Sequence, residues 1–148
     1  MELEIKEMQL NDIDFVVSEE MKIFGKSLGK RTLYKEIIDN QMARYFVAFL
    51  EGKRVGYVGS RLTIPNAEIL NIFVSKGYQR HQIGTKLMVK IMAICNNEKI
   101  DFLTLEVNEK NLKAIKMYQK LGFEISHKRK KYYGNNEDAL LMILKIGG

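Results

Sequence analysis

Apolar and polar positions follow two different periods along this chain, and the two periods predict its secondary structure. Short alternating or continuous apolar runs are typical of strands, and spacings of three and four residues are typical of amphipathic helices. The resulting order is β-α-α-β-β-β-α-β-α-β-β, which predicts an α+β domain with a mixed, mostly antiparallel central sheet flanked by helices. Strands are predicted at about 3–6, 44–50, 54–64, 68–74, 101–107, 123–133 and 139–146, and helices at about 11–24, 30–40, 83–95 and 112–121.

The apolar stripes predict which helical faces are buried. An amphipathic helix packs its apolar stripe against the core and leaves its charged residues in water. The lysines and arginines of the second helix are therefore expected on a solvated face. The residues on the stripes are Ile13, Val16, Val17, Met21 and Phe24 in the first helix, and Leu33, Ile37 and Ile38 in the second.

Small and polar residues mark the ends of these elements. Asn11 and Asn111 are predicted to cap the first and fourth helices, because an asparagine side chain accepts a hydrogen bond from the first helical turn. Gly122 suits the position after the fourth helix. Gly56 and Gly59 lie inside the third predicted strand, where glycine either weakens the strand or allows a close backbone approach.

The stretch from Glu68 to Asn97 carries the main functional signal. An apolar strand ending at Val74 is followed by the polar turn Ser75-Lys76-Gly77 and, after residues 78–82, by a long amphipathic helix. The first turn of a helix has backbone N–H groups without helical partners, and the positive end of the helix dipole lies there. This arrangement predicts a binding site for a phosphorylated ligand.

Composition excludes several classes of protein. The 148 residues are 46% hydrophobic and 28% charged, which predicts one globular domain over 1–148. No apolar run is long enough to cross a membrane and no signal peptide is evident, so we expect a cytoplasmic protein without membrane contact. The single cysteine, Cys95, lies in an apolar helical segment and is expected to be a reduced core residue.

The net charge of +6 lies in the second part of the sequence. Residues 1–65 carry ten acidic and ten basic side chains, whereas residues 66–148 carry eight acidic and fourteen basic ones. The excess of basic residues therefore lies in the same part of the sequence as the predicted phosphate site. A polyanionic small ligand, an RNA-rich partner or an acidic surface would each fit it.

Two sets of residues resemble motifs of a known enzyme family. Gln79-Arg80-His81-Gln82-Ile83-Gly84 resembles the Gln/Arg-x-x-Gly-x-Gly/Ala signature of the GNAT family of acetyl-CoA-dependent N-acetyltransferases, and the predicted element order matches that family. Leu105–Asn111, Ala114–Tyr118 and Leu121–Phe123 resemble a segment of the RimI branch, enzymes that acetylate the N-terminal alanine of a ribosomal protein. The resemblance covers the chain from about residue 45 onward.

The resemblance implies that acetyl-CoA is the acetyl donor. The edge of the fourth strand would hydrogen-bond the pantetheine arm as a further strand does, and the following helix N-terminus would hold the pyrophosphate. An asparagine at the start of the fourth helix would lie beside the cofactor. The residues concerned are Ile72, Phe73 and Val74 at the strand edge, Arg80, His81, Gln82, Ile83, Gly84 and Thr85 at the pyrophosphate, and Asn111.

The resemblance also implies a catalytic base and acid. Amine acetylation needs a base for the ammonium and a proton for the departing thiolate, and Glu106 and Tyr118 match the RimI base and acid in type and spacing. A backbone N–H near Phe73 would polarise the thioester carbonyl. The alternatives are that Glu106 is an edge-strand carboxylate paired with a lysine and that Tyr118 belongs to the core.

The chain departs from the RimI pattern at two places. Gln82 stands where the family has its first glycine, and Phe24–Gly29 replaces a Pro-Trp-Ser element that helps line the peptide site in the family. The expected acceptor is the N-terminal α-amine of a ribosomal protein, acetylated by direct transfer in a ternary complex. The alternatives are a GNAT enzyme for small amines such as polyamines or aminoglycosides, and a non-catalytic basic module that binds RNA or the ribosome.

The remaining polar clusters predict no further site. His127 has no carboxylate or cysteine at metal-ligand spacing, so no metal is expected. The run Lys128–Tyr133 alternates between two faces of a strand. This alternation favours a solvated strand near the acceptor site, lined by Tyr132 or Tyr133, over an RNA-binding patch. No DNA partner is expected.

Overall fold

Seven strands and four α-helices follow one another in the order that the sequence predicts, within the residues described by the structure, a computed structural model. These residues are 2–79, 81–130 and 137–147. A short 3-10 turn, Leu10–Asp12, precedes the first α-helix. The elements are β1 Leu3–Glu7, α1 Ile13–Phe24, α2 Lys30–Asp39, β2 Ala43–Leu50, β3 Lys53–Thr63, β4 Asn66–Val74, α3 Ile83–Asn97, β5 Phe102–Asn108, α4 Leu112–Lys120, β6 Glu124–Arg129 and β7 Ala139–Lys145.

The strands form one mixed sheet in the order β1-β2-β3-β4-β5-β7-β6. The pairs β1–β2, β2–β3, β5–β7 and β6–β7 are antiparallel. β4 and β5 are parallel, and their register runs from Asn66 opposite Phe102 to Glu68 opposite Thr104. The crossover between these two strands contains α3, as a parallel connection requires. The predicted α+β fold with a mostly antiparallel sheet is confirmed.

The chain divides into two compact units, and the first consists of Met1–Arg61 and Leu70–Ile91. Three aromatic rings pack in tilted pairs in its core, with centroids 6.0 Å apart for Tyr45 and Tyr57 and 5.2 Å apart for Tyr57 and Phe73. One hydrophobic cluster of this unit consists of the buried residues Met8, Ile13, Val16, Leu33, Tyr45, Val47, Tyr57 and Phe73.

The second unit consists of Leu62–Ile69 and Met92–Gly148. Alternate residues of β5 are buried, as expected for a strand with one face in a core. Cys95 is a free thiol and fully buried, which confirms its prediction as a reduced core residue. The other buried apolar residues include Leu103, Leu105, Val107, Ile115, Tyr118, Phe123 and Met142. That the two units form one domain over 1–148 stays a prediction.

The beginning of α1 differs from the prediction. Asp12, rather than Asn11, precedes the first helical residue. The Asp12 carboxylate is buried, and it accepts hydrogen bonds from Gln9 N at 2.8 Å and from Arg54 Nε at 2.7 Å that compensate for the loss of water. The ion pair to a distant strand is a tertiary contact, which local capping preferences do not contain.

The predicted apolar stripes of α1 and α2 were wrong toward their C-terminal ends. Met21, Phe24 and Ile38 are 51%, 43% and 52% exposed. Two glutamates, Glu20 and Glu36, are buried instead. Their carboxylates are hydrogen-bonded within the first unit, and such pairing allows a buried charge.

Glu36 shows how this pairing works. Burial alone would raise the pKa of its carboxyl, but hydrogen bonds from Asn40, Arg61 and Tyr45 together lower that pKa below its usual value. Glu36 therefore stays ionised inside α2, where the sequence pattern predicts an exposed glutamate.

Gly56 and Gly59 of β3 allow close packing, the second of the two predicted roles. A Cβ atom at Gly56 would lie 3.2 Å from the carbonyl oxygen of Phe73 and 3.2 Å from Ile83 Cγ2. At Gly59 it would lie 2.5 Å from Tyr57 Oη. β3 thus comes close to the backbone of β4 only because residue 56 has no side chain.

Candidate active site

The end of β4, the turn after it and the first part of α3, which are predicted to hold a phosphate, lie in the first unit. β4 ends at Val74, and the chain then makes a turn in which Ser75 N donates to Val55 O at 2.8 Å and Tyr78 N donates to Ser75 O at 3.1 Å. Gly77 adopts φ +96°, the left-handed region that favours glycine. The predicted turn at Ser75-Lys76-Gly77 is confirmed, and it leads towards the N-terminus of α3.

The N-terminus of α3 has the geometry of an anion site. The first backbone hydrogen bond of this helix runs from Lys86 N to Gln82 O at 3.1 Å. Helix geometry leaves the preceding N–H groups, including those of Gly84 and Thr85, without helical acceptors. Ile83 is fully buried and anchors the turn, whereas His81 is exposed. Arg80 lies outside the described residues.

Gln82 takes up the conformation for which a glycine is suited. Its φ angle is +57°, in the left-handed region that costs an ordinary L-residue about 1 kcal/mol or more. The Gln82 side chain is exposed. The resemblance implies a glycine here, and the backbone conformation supplies a physical reason for that preference.

The end of β4 carries the proposed strand edge. Phe73 is buried, and Ile72 and Val74 are half-buried. The ladder between β4 and β5 covers only Asn66, Ala67 and Glu68, so the predicted ligand-binding residues come after it along the strand.

Two polar residues that the sequence pattern does not single out form hydrogen bonds at this strand. Asn71 Oδ1 accepts a hydrogen bond from Ile72 N at 3.0 Å, and Asn71 Nδ2 donates to Glu20 Oε2 at 2.7 Å. Glu20 is fully buried on α1. The only sequence signal was a glutamate inside a stretch with helical periodicity, and such a residue is usually assigned to the solvated face.

Glu106, the predicted base, lies on β5 in the second unit. Its Oε1 accepts a hydrogen bond from Arg129 Nη1 at 2.5 Å. Its Oε2 is buried and has no hydrogen-bond partner among the described residues. The alternative of an edge-strand carboxylate paired with a lysine is wrong, since β5 lies between β4 and β7 and the partner is an arginine.

Tyr118 and Asn111, both on α4, also belong to the second unit. Tyr118 is 5% exposed, and its ring centroid lies 5.9 Å from that of Phe123. This burial fits a core residue and a buried acid equally, so the role of Tyr118 stays a prediction. Asn111 Oδ1 accepts a hydrogen bond from Ala114 N at 3.2 Å, which confirms it as the N-cap, and Gly122 has the left-handed φ expected after the helix.

The cations of β6 are paired with carboxylates. Lys128 Nζ lies 3.0 Å from Glu109 and 3.8 Å from Asp138, and the hydrogen bond with Glu109 raises the pKa of Lys128. Arg129 is paired with Glu106. These pairs weaken the case for an RNA-binding patch at this strand. Lys131, Tyr132 and Tyr133, the last two predicted to line the acceptor site, lie outside the described residues.

Metal-ligating side chains do not cluster in the part of the chain that the structure describes. Within 2–79, 81–130 and 137–147, no three histidine, cysteine, aspartate or glutamate side chains group as metal ligands. His127 contacts Ser126 Oγ at 3.4 Å. Among the helices in the described part of the chain, none has the length and apolar character needed to span a bilayer.

Several known proteins are similar to this chain in sequence. The acetyltransferase (GNAT) family model matches residues 13–123. A Bacillus subtilis (strain 168) protein, provisionally named ribosomal protein bS18-alanine N-acetyltransferase, is 33% identical over 143 residues, covering 96% of this chain and 95% of that protein. The ribosomal protein bS18-alanine N-acetyltransferase of Escherichia coli (strain K12) is 32% identical over 117 residues, covering 76% and 79%.

Solved structures share the fold. The crystal structure of the Escherichia coli ribosomal-protein-S18-alanine N-acetyltransferase has a TM-score of 0.89 at 23% identity, covering 99% of this chain and 96% of that one. Ard1 from Thermoplasma volcanium has the same TM-score of 0.89 at 22% identity, covering both chains completely. The family match covers most of the described elements, including the α3 N-terminus, Glu106 and Tyr118. The chain therefore belongs to the GNAT family of acetyltransferases, enzymes that use acetyl-CoA.

Proposed function

We propose that this chain transfers the acetyl group of acetyl-CoA to the N-terminal α-amine of a ribosomal protein. The observation that carries the proposal is the state of Glu106. Arg129 holds Oε1, while Oε2 is buried and has no partner among the described residues. A carboxylate oxygen without a hydrogen-bond donor keeps its lone pairs for a proton, as a general base requires.

The acceptor is proposed from the relatives. Two proteins that are 32% and 33% identical to this chain carry the name ribosomal protein bS18-alanine N-acetyltransferase, the second of them provisionally. We therefore take a peptide beginning with that alanine as the acceptor. The proposal places the enzyme in the cytoplasm, where acetyl-CoA and newly made ribosomal proteins occur together.

The donor would bind through backbone groups of the first unit. The N–H groups at the start of α3, from His81 to Thr85, would hold the pyrophosphate, because a helix N-terminus favours a dianion. The edge of β4 at Ile72–Val74 would pair with the extended pantetheine arm. Acetyl-CoA is a cosubstrate in this scheme and supplies the activated acetyl thioester.

The reaction is a direct transfer within a ternary complex. Glu106 accepts a proton from the ammonium, and the neutral amine forms a C–N bond with the thioester carbonyl carbon. The C–S bond then breaks, and Tyr118 donates its hydroxyl proton to the departing sulfur. The proton that the new amide nitrogen loses restores the tyrosine, so that one proton is released overall.

Purified protein with acetyl-CoA and a peptide carrying the N-terminal residues of bS18 tests the proposal. We expect thiol release matched by a mass increase of one acetyl group at the peptide N-terminus. Two controls accompany this assay. The same peptide with a blocked N-terminus tests for lysine acetylation, and spermidine tests for small-amine acetylation. Thiol release that needs spermidine rather than the peptide, or that is equally fast without any acceptor, would refute the N-terminal assignment.

Two variants test the proposed roles of the base and the acid. Glu106→Gln and Tyr118→Phe are each expected to lower kcat by about a hundredfold or more, because general acid–base groups commonly contribute that much. Binding of acetyl-CoA is expected to change little in either variant. Tyr34→Phe removes an exposed hydroxyl from α2 and is the matched control with normal turnover. Unchanged turnover in Tyr118→Phe would assign that residue to the core.

A further inference from the structure

Arg129 and Glu106 lie on one face of the sheet in the second unit, although they belong to strands that are not neighbours. Glu106 of β5 is opposite Leu141 of β7, and Arg129 of β6 is opposite Ala139 of β7. Residues opposite each other across an antiparallel pair share a face, and so do residues two apart along a strand. The register therefore turns the side chains of Glu106 and Arg129 towards the same side of β7.

The Arg129 side chain crosses β7 to reach Glu106. β5 and β6 are the two neighbours of β7 in the strand order, so their backbones are about 10 Å apart. Arg129 Nη1 nevertheless donates to Glu106 Oε1 at 2.5 Å. Ala139, which is fully buried, is the residue of β7 opposite Arg129, and its small side chain leaves room for this crossing.

An irregularity in β6 selects the residue that makes this contact. The register between β6 and β7 shifts by one position between Ile125 and His127, which is the pattern of a β-bulge. In an unbroken register continued from Ile125, Lys128 rather than Arg129 would share the face of Glu106. The shift thus directs an arginine to the carboxylate, and bulges next to active sites commonly redirect a side chain in this way.

Lys128 lies on the other face of β6 and has carboxylate partners of its own. It is opposite Leu140, and its Nζ lies 3.0 Å from Glu109 and 3.8 Å from Asp138. Two adjacent cations are thus divided between two groups of carboxylates, because neighbouring residues of a strand point to opposite faces. Arg129 is the cation of this pair that the register assigns to Glu106.

The hydrogen bond from Arg129 determines how the Glu106 carboxylate is oriented. The terminal torsion of a glutamate has a broad preference, so its rotamer alone does not fix the two oxygens. A guanidinium group is a charged donor with fixed directions. With Oε1 held by Arg129, Oε2 is the buried oxygen that has no partner among the described residues. The two side chains are 49% and 27% exposed, so this ion pair contributes little to stability.

We propose that Arg129 is a positioning residue, which orients the Glu106 carboxylate so that Oε2 receives the proton of the acceptor ammonium. This inference rests on the proposed function, in which Glu106 is the base. It assigns to Arg129 an effect on turnover rather than on the binding of acetyl-CoA. A misaligned base slows the step that it assists, whereas the donor would bind through backbone groups of the first unit.

Removal of the Arg129 side chain is expected to separate turnover from donor binding. Arg129→Ala should lower kcat by about tenfold or more and leave the Kd of acetyl-CoA unchanged. Lys128→Ala is the matched control, because it removes a paired cation from the neighbouring position of the same strand without touching Glu106. Its kcat should equal that of the wild type. Equal losses of kcat in the two variants would overturn the inference, since they would report a general effect of charge or of strand stability.

A double substitution shows whether Arg129 acts through Glu106. If it does, adding Arg129→Ala to Glu106→Gln lowers kcat no further, because the base whose orientation matters is already absent. A further loss equal to that of Arg129→Ala alone, or a normal kcat in Arg129→Ala, would overturn the inference while transfer by the wild type still supports the proposed function. Absence of transfer by the wild type to any N-terminal peptide would instead refute the proposed function, and this inference with it.

Discussion

Two buried tyrosines of the first unit differ in what their hydroxyl groups contact. Tyr45 Oη donates to Glu36 Oε1 at 3.1 Å, whereas Tyr57 Oη is buried with no partner among the residues described. Burial raises the pKa of both hydroxyls, so both stay protonated. We expect Tyr57→Phe to raise the free energy of unfolding by about 1 kcal/mol and Tyr45→Phe to lower it by a similar amount. Urea unfolding measures both; destabilisation by Tyr57→Phe would contradict the assignment.

Gln82 stores backbone strain at the proposed pyrophosphate site. Its φ of +57° is unfavourable for a residue with a Cβ atom and neutral for glycine. Gln82→Gly is therefore expected to raise the free energy of unfolding by up to about 1 kcal/mol and to tighten acetyl-CoA binding. Lys86→Gly, in the regular helix that follows, is the control and should cost about 1 kcal/mol. Thermal unfolding with and without acetyl-CoA gives both quantities, and a destabilised Gln82→Gly would argue against strain.

At the scale of single residues, the sequence shows the residue types but not the partners that they meet in the fold. The role of Glu106 as base is implied by the family resemblance and stays a prediction, and its arginine partner lies 23 residues further along the chain. The hydrogen bond between Glu20 and Asn71 joins residues that are 51 positions apart, so no local pattern in the sequence indicates it. A glutamate in an amphipathic helix is normally solvated, so only the tertiary structure shows that this one is buried.

Asn111 caps the start of α4, and it is also predicted to lie beside acetyl-CoA. Its side chain caps the helix through Ala114 N. Asn111→Asp keeps the acceptor oxygen and adds a negative charge, so we expect normal stability with weaker binding of the anionic cofactor. Asn111→Ala loses the cap and should cost about 1 kcal/mol of unfolding free energy. Calorimetric titration with acetyl-CoA separates the two roles, and normal affinity in Asn111→Asp would leave Asn111 with the cap alone.

The buried thiol of Cys95 in α3 makes stability depend on alkaline pH. Burial raises its pKa from 9.0 to about 11. The folded state thus holds the thiol proton more tightly than the unfolded state, and this contribution is complete below pH 9 and lost as the pH rises towards 11. The loss is at most about 2.7 kcal/mol. Relative to Cys95→Val, the wild-type protein should lose stability between these pH values; parallel pH profiles would contradict this.

Elements with a clear periodicity were predicted well, and their ends were not. The turn between β4 and α3 is marked locally by Ser75, Lys76 and Gly77, so the sequence contains what determines it. The exposed end of α1 has no such mark, since Met21 and Phe24 follow the helical period and are nonetheless exposed. Exposure there depends on what packs against the helix, which is a property of the whole fold.

At the scale of the molecule, the order of elements predicts the fold class but not the strand order. Consecutive strands β6 and β7 pair as the sequence suggests. β7 also pairs with β5 along its length, from Phe102 opposite Lys145 to Asn108 opposite Ala139. This pairing joins segments separated by a helix and a strand, and no local pattern specifies it.

The uneven charge of the chain gives a test of how the donor binds. Residues 66–148 carry the whole net charge of +6, and acetyl-CoA is a polyanion. At a concentration about one hundred times its Kd, acetyl-CoA should stabilise the protein by about 2.7 kcal/mol, or about 5–10 °C in Tm. Salt screens exposed charges, so the rise in Tm caused by acetyl-CoA should fall by about half between about 50 and 500 mM salt. That decrease amounts to several degrees. Acetyl-pantetheine lacks the phosphates, so any shift that it causes should be independent of salt. A salt-independent shift with acetyl-CoA would mean that the N–H groups of the α3 N-terminus, rather than the charge excess, supply most of the attraction.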